Sequence, residues 1–423
     1  MTYPLMITMS DSDREAGTID KNCLISLQSD WNLALKNIGE EVWVTWKSEG
    51  NPTLHGTIKR INDSSDCHTS IGTSNGFKVV HLKGNMIQVG HCMSSRSTIF
   101  VAPSQYVTSV HEKKSISSVA VNADGLVVSA IGEKMVVWDT KTEEKNLLLE
   151  GHLADIYKCK YFPSGKVIIS CGSDMLLKIW CPFTGRCAVT LSGHKLAVTD
   201  IDFISRGKNI VSVSKDGTVK LWNCGDGSCI ADVAQASSVI NCCEVIQSPP
   251  ELKLNEPPNY LHEKEVLTEG KVVLFGCEDG TVSCSAVKSR SRINTWRFDS
   301  PVNCLTYVGG NKFVIGCQNG TIAMFKLSSQ STTPLRSWKE SHSAVLSLLN
   351  FKDTGFIASR ADGTVSFSFI NSTSVAISLT GSNFDPVNCL AFDGNNVYTC
   401  CRDSFVRKYS VAKIIDDVAH NIL

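Results

Sequence analysis

Apolar and polar residues alternate in short runs over most of the chain, and the runs end at Gly, Pro, Ser, Asn or Asp. A period of two in segments rich in β-branched residues predicts strands, and the punctuation predicts tight turns. The stretch that opens at Gly151-His152 predicts a strand from Ile156 to Phe162, a turn at Pro163-Ser164-Gly165 and a strand from Val167 to Cys171. A turn at Gly172-Ser173-Asp174, a strand from Leu176 to Trp180 and a fourth strand from Cys187 to Leu191 complete it, and a second Gly193-His194 follows. The next stretch repeats the order with Val198 to Phe203, Ile210 to Ser214, Asp216-Gly217 and Val219 to Trp222. Trp138, Trp180 and Trp222 recur at a constant interval of 42 residues.

A four-stranded unit of about 40–45 residues, opened by Gly-His and carrying a Trp on its third strand, is the pattern of a β-propeller blade. On these residues the chain resembles the WD-repeat family, with one departure: Cys181 and Asn223 stand where an Asp would follow the Trp, and only Trp138-Asp139 keeps it. The resemblance implies a buried polar network in each well-formed unit. Its members are His152, Ser170, Asp174 and Trp180 in one unit and His194, Ser212, Asp216 and Trp222 in the next. A satisfied network of this kind fixes one arrangement, and each orphaned buried partner costs ~1–3 kcal/mol. A catalytic His–Asp relay is the competing reading, and recurrence at a structural period argues against it.

Counting on from these units predicts an all-β chain, a seven-bladed WD-repeat β-propeller with a small N-terminal β-rich domain. Residues 1–22 lack periodicity and read as a flexible tail. Residues 23–98 read as the β-rich domain, with Ser29-Asp30 capping a short helix at Trp31 to Leu35. The propeller is expected over 99–411, with an acidic, mobile loop inserted over 248–270 that holds four prolines and five glutamates. The last blade lacks a fourth strand, because residues 412–423 read as a helix-like tail, and Ile99 to Tyr106 is expected to close the ring there.

Lys+Arg and Asp+Glu both number 41, so no net field favours nucleic acid or an anionic membrane. No apolar run approaches the ~20 residues of a membrane span. Of the 18 cysteines, Cys242, Cys304 and Cys389 share one column of the repeat and Cys277, Cys317 and Cys401 another, which points to packing. The spacing of His55, Cys67, His68, His91 and Cys92 is irregular, so no metal or other cofactor is expected. Reduced thiols fit a cytoplasmic or nuclear protein.

More specific segments lie outside the repeat: Ser29-Asp30-Trp31 with Ala34-Leu35, Leu149-Glu150-Gly151-His152, Tyr161 to Gly165, Leu379-Thr380-Gly381 with Asp385-Pro386-Val387, and Tyr398 to Asp403. Together with the N-terminal domain they resemble the proteasomal ATPase-associated factor family from about residue 24 to 411. The resemblance implies a non-enzymatic binding protein, monomeric on its own, that holds an ATPase subunit of the proteasome regulatory particle. It further implies an assembly chaperone and a negative regulator of docking on the core particle. The alternatives are a generic WD-repeat scaffold, a ubiquitin-ligase substrate receptor, or an enzyme with a site in the channel. By position in the repeat the candidate contact residues are Asp155, Tyr157, Lys215, Glu278 and Arg402. Tyr157 and Arg402 lead because Tyr and Arg are enriched at interface hot spots.

Overall fold

The computed structural model describes residues 23–422 apart from 49, 63–69, 95, 108–112, 143–144, 253, 256–261, 329–332, 353 and 372–375. The tail expected over 1–22, Cys67 and His68 lie outside the described residues. Alternating side chains place one apolar face of each strand against a neighbouring sheet, and the chain is all-β with four-stranded blades. Seven sheets among the described residues follow one plan. We number them by their first strands: Ser118–Val121, Ile156–Tyr161, Val198–Ile204, Ile240–Gln247, Val302–Tyr307, Val345–Phe351 and Val387–Phe392. These first strands neighbour one another in chain order, and the last neighbours the first.

Apolar clusters fill the spaces between successive sheets. Val128, Val137, Ile156, Cys159 and Trp180 join sheets one and two, and Val107, Val119, Cys389 and Tyr398 join sheet seven to sheet one. In sheets two to seven the register slips at the second residue of the first strand, at Tyr157, Thr199, Asn241, Asn303, Leu346 and Asn388. A bulge leaves one residue unpaired and re-aims its side chain.

The closing strand differs from the expectation. Gln105–Val107 pairs with the third strand of sheet seven through Val406↔Val107. Ile99 instead belongs to Ser97–Val101, which pairs with Met86–His91 and runs parallel to Ala376–Leu379 of sheet six. The cause is Pro103, which donates no N–H and separates two strands with different partners. The boundary expected between 98 and 99 therefore falls inside a strand.

Ahead of this seam stands a sheet of Leu24–Leu27, Glu41–Lys47, Leu54–Arg60 and Ile71–Thr73. Its core of Trp31, Val42, Val44 and Trp46 runs on to Ile87, Val89 and Phe100. His91 is part of that packing, stacked 5.1 Å from Trp46. The helix Trp31–Ala34 lacks the expected side-chain cap. Asp30 accepts from Gln28 Nε2 at 2.8 Å instead, and Ser29 turns to Asn383. The described parts of the 248–270 insertion pack closely: Leu252 and Thr268 are buried, and Asn209 is hydrogen-bonded to the main chain of both Lys264 and Val266. The C-terminal helix Ala412–Ile422 buries Ile415 and Val418 among residues of sheets six and seven.

Candidate partner-binding site

In six of the seven sheets the residue before the turn Asp, or its equivalent, donates its main-chain N–H to the loop entering the same sheet. Ser173 donates to Asp155 at 2.8 Å, Lys215 to Ala197 at 2.9 Å, Glu278 to Val239 at 2.9 Å and Arg402 to Pro386 at 3.1 Å; Gln318 and Ala361 do likewise. Turns and entry loops therefore share one end of the sheets, and the bulged residues lie beside them.

Most of the bulged side chains are used to fasten neighbouring sheets together. Thr199 Oγ1 donates to the Ile240 carbonyl at 2.6 Å, Asn241 Nδ2 to Val302 at 3.1 Å and Asn303 Nδ2 to Val345 at 3.1 Å. Asn388 Nδ2 donates to Ile116 at 2.8 Å and Ser117 Oγ to Ile156 at 2.7 Å, which carries the series across the junction of sheets seven and one. Tyr157 and Leu346 break the series, because a phenol on a rigid ring and an alkyl chain do not reproduce this short donor geometry. Tyr157 instead lies under the Lys215 ammonium, 5.3 Å from the ring centroid, a cation–π arrangement.

The entry loops of sheets two and three are fixed from beneath. His152 is bonded through Nδ1 to Asp174 at 2.8 Å and through Nε2 to Ser170 Oγ at 2.6 Å, and Trp180 Nε1 donates to the same Oγ at 2.8 Å. His194, Asp216, Ser212 and Trp222 repeat this at 2.9, 2.7 and 2.8 Å. The indole can only donate, so the Ser oxygen accepts that proton and passes its own to Nε2. The imidazole is then neutral and donates Nδ1–H to the carboxylate. Burial holds both histidines below their ordinary pKa, against the pull of the carboxylates. Burial alone would raise Asp216, but donation from Thr218, the Lys195 main chain and His194 holds its carboxyl below the ordinary range.

The same carboxylates pin the entry loops: Asp174 Oδ2 accepts Leu153 N–H at 3.1 Å and Asp216 Oδ2 accepts Lys195 N–H at 2.8 Å. Gly193 precedes this corner at φ 149°, and a Cβ there would come within 3.2 Å of Trp222. A side chain at that position is strained and obstructed at once.

On this pinned frame three large apolar side chains face water: Leu153 at 86% exposure, Leu196 at 52% and Met175 at 42%. Met175 has φ 66°, in the place where sheets three to six carry Gly217, Gly280, Gly320 and Gly363 and sheet seven carries Ser404 at φ 71°. An L side chain held there costs about 1–2 kcal/mol. Leu196 adjoins Lys215, since its carbonyl accepts from Ser214 Oγ at 3.0 Å. Leu153 and Met175 thus flank Asp174 on sheet two, Leu196 stands beside Lys215 on sheet three, and the Lys215–Tyr157 contact links the two sheets; this apolar stretch is the ledge.

The five candidate contact residues separate on this geometry. Tyr157 and Lys215 lie together, while the Asp155 carboxylate on the entry loop ahead of Tyr157 stands beside the sheet-one turn at Gly132. Glu278 accepts from Asn241 at 2.8 Å on sheet four, and Arg402 is paired with Asp385 at 2.8 Å on sheet seven.

A family model described as WD domain, G-beta repeat matches residues 143–181, 185–223 and 373–410. The proteasomal ATPase-associated factor 1 of Gallus gallus is 38% identical over 92% of this chain and 99% of its own length. The chain belongs to the proteasomal ATPase-associated factor 1 family. The member from Homo sapiens is 36% identical over the same shares, and a probable member from Dictyostelium discoideum is 28% identical over 91% of this chain and 95% of its own length.

One further group in this family member lies on the first strands, outside the turn columns. Lys160 lies 3.2 Å from Asp202 and 4.0 Å from Asp200. Asp200 accepts Cys243 N–H at 3.1 Å, Asp202 accepts Val245 N–H at 2.7 Å and Glu244 accepts Tyr307 N–H at 3.0 Å. These groups fasten sheets two, three, four and five together. Burial and the neighbouring Asp202 push the Glu244 carboxyl up to about 8. Their sequence signal is a Lys, Asp or Glu at alternate positions of a first strand. For the ledge the signal is Asp174-Met175 where the turns of sheets three to six read Asp-Gly or Asn-Gly.

Proposed function

We propose that this chain is a non-enzymatic binding protein that holds an ATPase subunit of the proteasome regulatory particle through the ledge at sheets two and three. In this reading the seven sheets form a seven-bladed propeller, with the sheet at 24–73 part of a separate N-terminal module. The printed name of the relatives supports the partner class. The ledge supports the mode: Met175, a strained and exposed apolar residue, stands on loops fixed by two complete buried networks. Rigid scaffolding beneath exposed apolar side chains reduces the ordering cost of association. Lys215 and Asp155 supply charges of both signs for orientation, while Tyr157, Leu153 and Leu196 supply apolar area.

As an assembly chaperone the protein keeps the bound ATPase from docking prematurely on the core particle, and so acts as a negative regulator of that association. It is monomeric on its own and works in the cytoplasm or nucleus, a setting that suits the free thiols of its described cysteines. Cross-linking the purified protein to isolated regulatory-particle ATPases tests the reading. Links from Lys215 or Lys195 to one ATPase are expected, together with reduced docking of that ATPase on the core particle. A protein that captures none of the ATPases would overturn it.

A further inference from the structure

A second surface lies away from the ledge, where the N-terminal sheet meets the rim of sheets six and seven. Trp31 Nε1 donates to Thr380 Oγ1 at 3.0 Å, and Ser29 Oγ reaches Asn383 Oδ1 at 3.3 Å, so the two parts are joined there. Beside this joint is an open cleft of about 510 Å3. Leu33 and Trp43 line it from the N-terminal side, Tyr106 from the closing strand, and Asn383 and Phe384 from the loop entering sheet seven.

Three observations indicate an occupant. The Phe384 and Trp43 rings are parallel within 8°, at 6.3 Å between centroids, and both are exposed, Phe384 at 68%. Asn383 and Phe384 both adopt left-handed backbone, at φ 49° and 66°. Consecutive non-glycine residues in that region are strained, and here the strain holds an aromatic ring out in water. Finally, among the described residues lining the cleft, Asp30 carries the one charge. Its carboxylate is not used as a helix cap and accepts from Gln28 at the rim.

The stacked pair presents an exposed ring face that suits one bulky apolar or aromatic side chain, and a lone carboxylate beside it suits a cation. The volume admits a short segment rather than a folded domain. We infer that this cleft is a second docking site, for a linear peptide of a partner protein that carries a bulky apolar side chain next to a Lys or Arg. The site is independent of the ledge, so a partner held at the ledge can be gripped a second time through an extended segment, with the gain that a tethered second contact brings.

The probe is an acetylated, amidated hexapeptide centred on Phe-Lys, titrated into the full chain by ligand-observed NMR. Binding is expected, weakened by about tenfold when the peptide centre is changed to Phe-Glu or when the protein carries Phe384→Gly. Gly accepts the positive φ, so this variant keeps the loop. Asp30→Asn is expected to remove the preference for Lys over Glu in the peptide, and Tyr157→Ala to leave binding unchanged. Absence of binding, or equal binding of the two peptides, overturns the proposal. So does a rise of about tenfold in affinity on deleting residues 1–22, which would mean that the chain fills its own cleft. A concentration-dependent dimer abolished by Phe384→Gly would assign the cleft to a second copy and overturn it equally.

Discussion

In sheets two and three the turn Asp is met by a neutral imidazole, whereas in sheet seven Asp403 is met by the buried guanidinium of Arg407 through both terminal nitrogens. Sheet six goes further from the pattern: Arg360 is fully buried, donates to Ser366 at 3.0 Å and pairs with Glu340 at 2.8 Å. The neutral version matches every donor with an acceptor, and the carboxylate oxygen that accepts from the imidazole also pins the entry loop. The charged version leaves Nε of both arginines without a partner. In sheet seven the entry loop is instead held by the exposed Arg402–Asp385 pair. Meeting the turn Asp from the third strand, with Arg407, rather than from the entry loop, with a His, leaves that loop to adopt another shape, and Phe384 stands on it. The molecule has regular, tightly fixed corners at sheets two and three and an altered corner at sheet seven.

The largest effect expected from breaking this contrast is at Asp403. Asp403→Ala strips the partner from a buried guanidinium, and chemical denaturation should show a loss of ~3–5 kcal/mol. Asp216→Ala orphans only neutral groups, the imidazole N–H, the Lys195 main-chain N–H and the N–H and hydroxyl of Thr218, so a smaller loss of ~1–3 kcal/mol is expected. Equal losses in the two variants would erase the distinction between charged and neutral corners.

A third test uses pH. The folded pKa of His194 and His152 lies below the unfolded value of 6.5. As pH falls through that value the unfolded chain takes up protons that the native one refuses, so stability must be lost on acidification. Denaturant midpoints should fall between about pH 7 and pH 5. The fall should be shallower in His194→Asn, which has one buried imidazole fewer. Identical slopes would mean that the imidazole is not held neutral.

Much of this was legible from the chain. The four-strand period and the members of both buried networks follow from Gly-His, the turn Asp and the Trp interval, because each is a local pattern repeated at fixed spacing. The closing strand was misplaced since 97–101 and 105–107 are both strand-like, and Pro103 between them was read through. The fastening of bulged Asn and Thr side chains to the next sheet was hidden, because the carbonyls they reach lie about forty or more residues away. That left polar columns looking like free rim residues. Glu278 was a candidate by its column and Arg402 by residue type as well, and each is tied to a neighbour. The apolar ledge was missed because Leu153 and Leu196 look like core residues until the frame shows them facing water.

Met175 offers the most direct test of the account. Met175→Gly installs the residue that sheets three to six carry at this left-handed position, and it removes an exposed thioether side chain. The fold is expected to be at least as stable as the parent. Dissociation from the regulatory-particle ATPase, followed by surface binding kinetics, is expected to quicken by about tenfold. A variant that folds well and releases the ATPase no faster than the parent would contradict the claim that the ledge is where the partner is held.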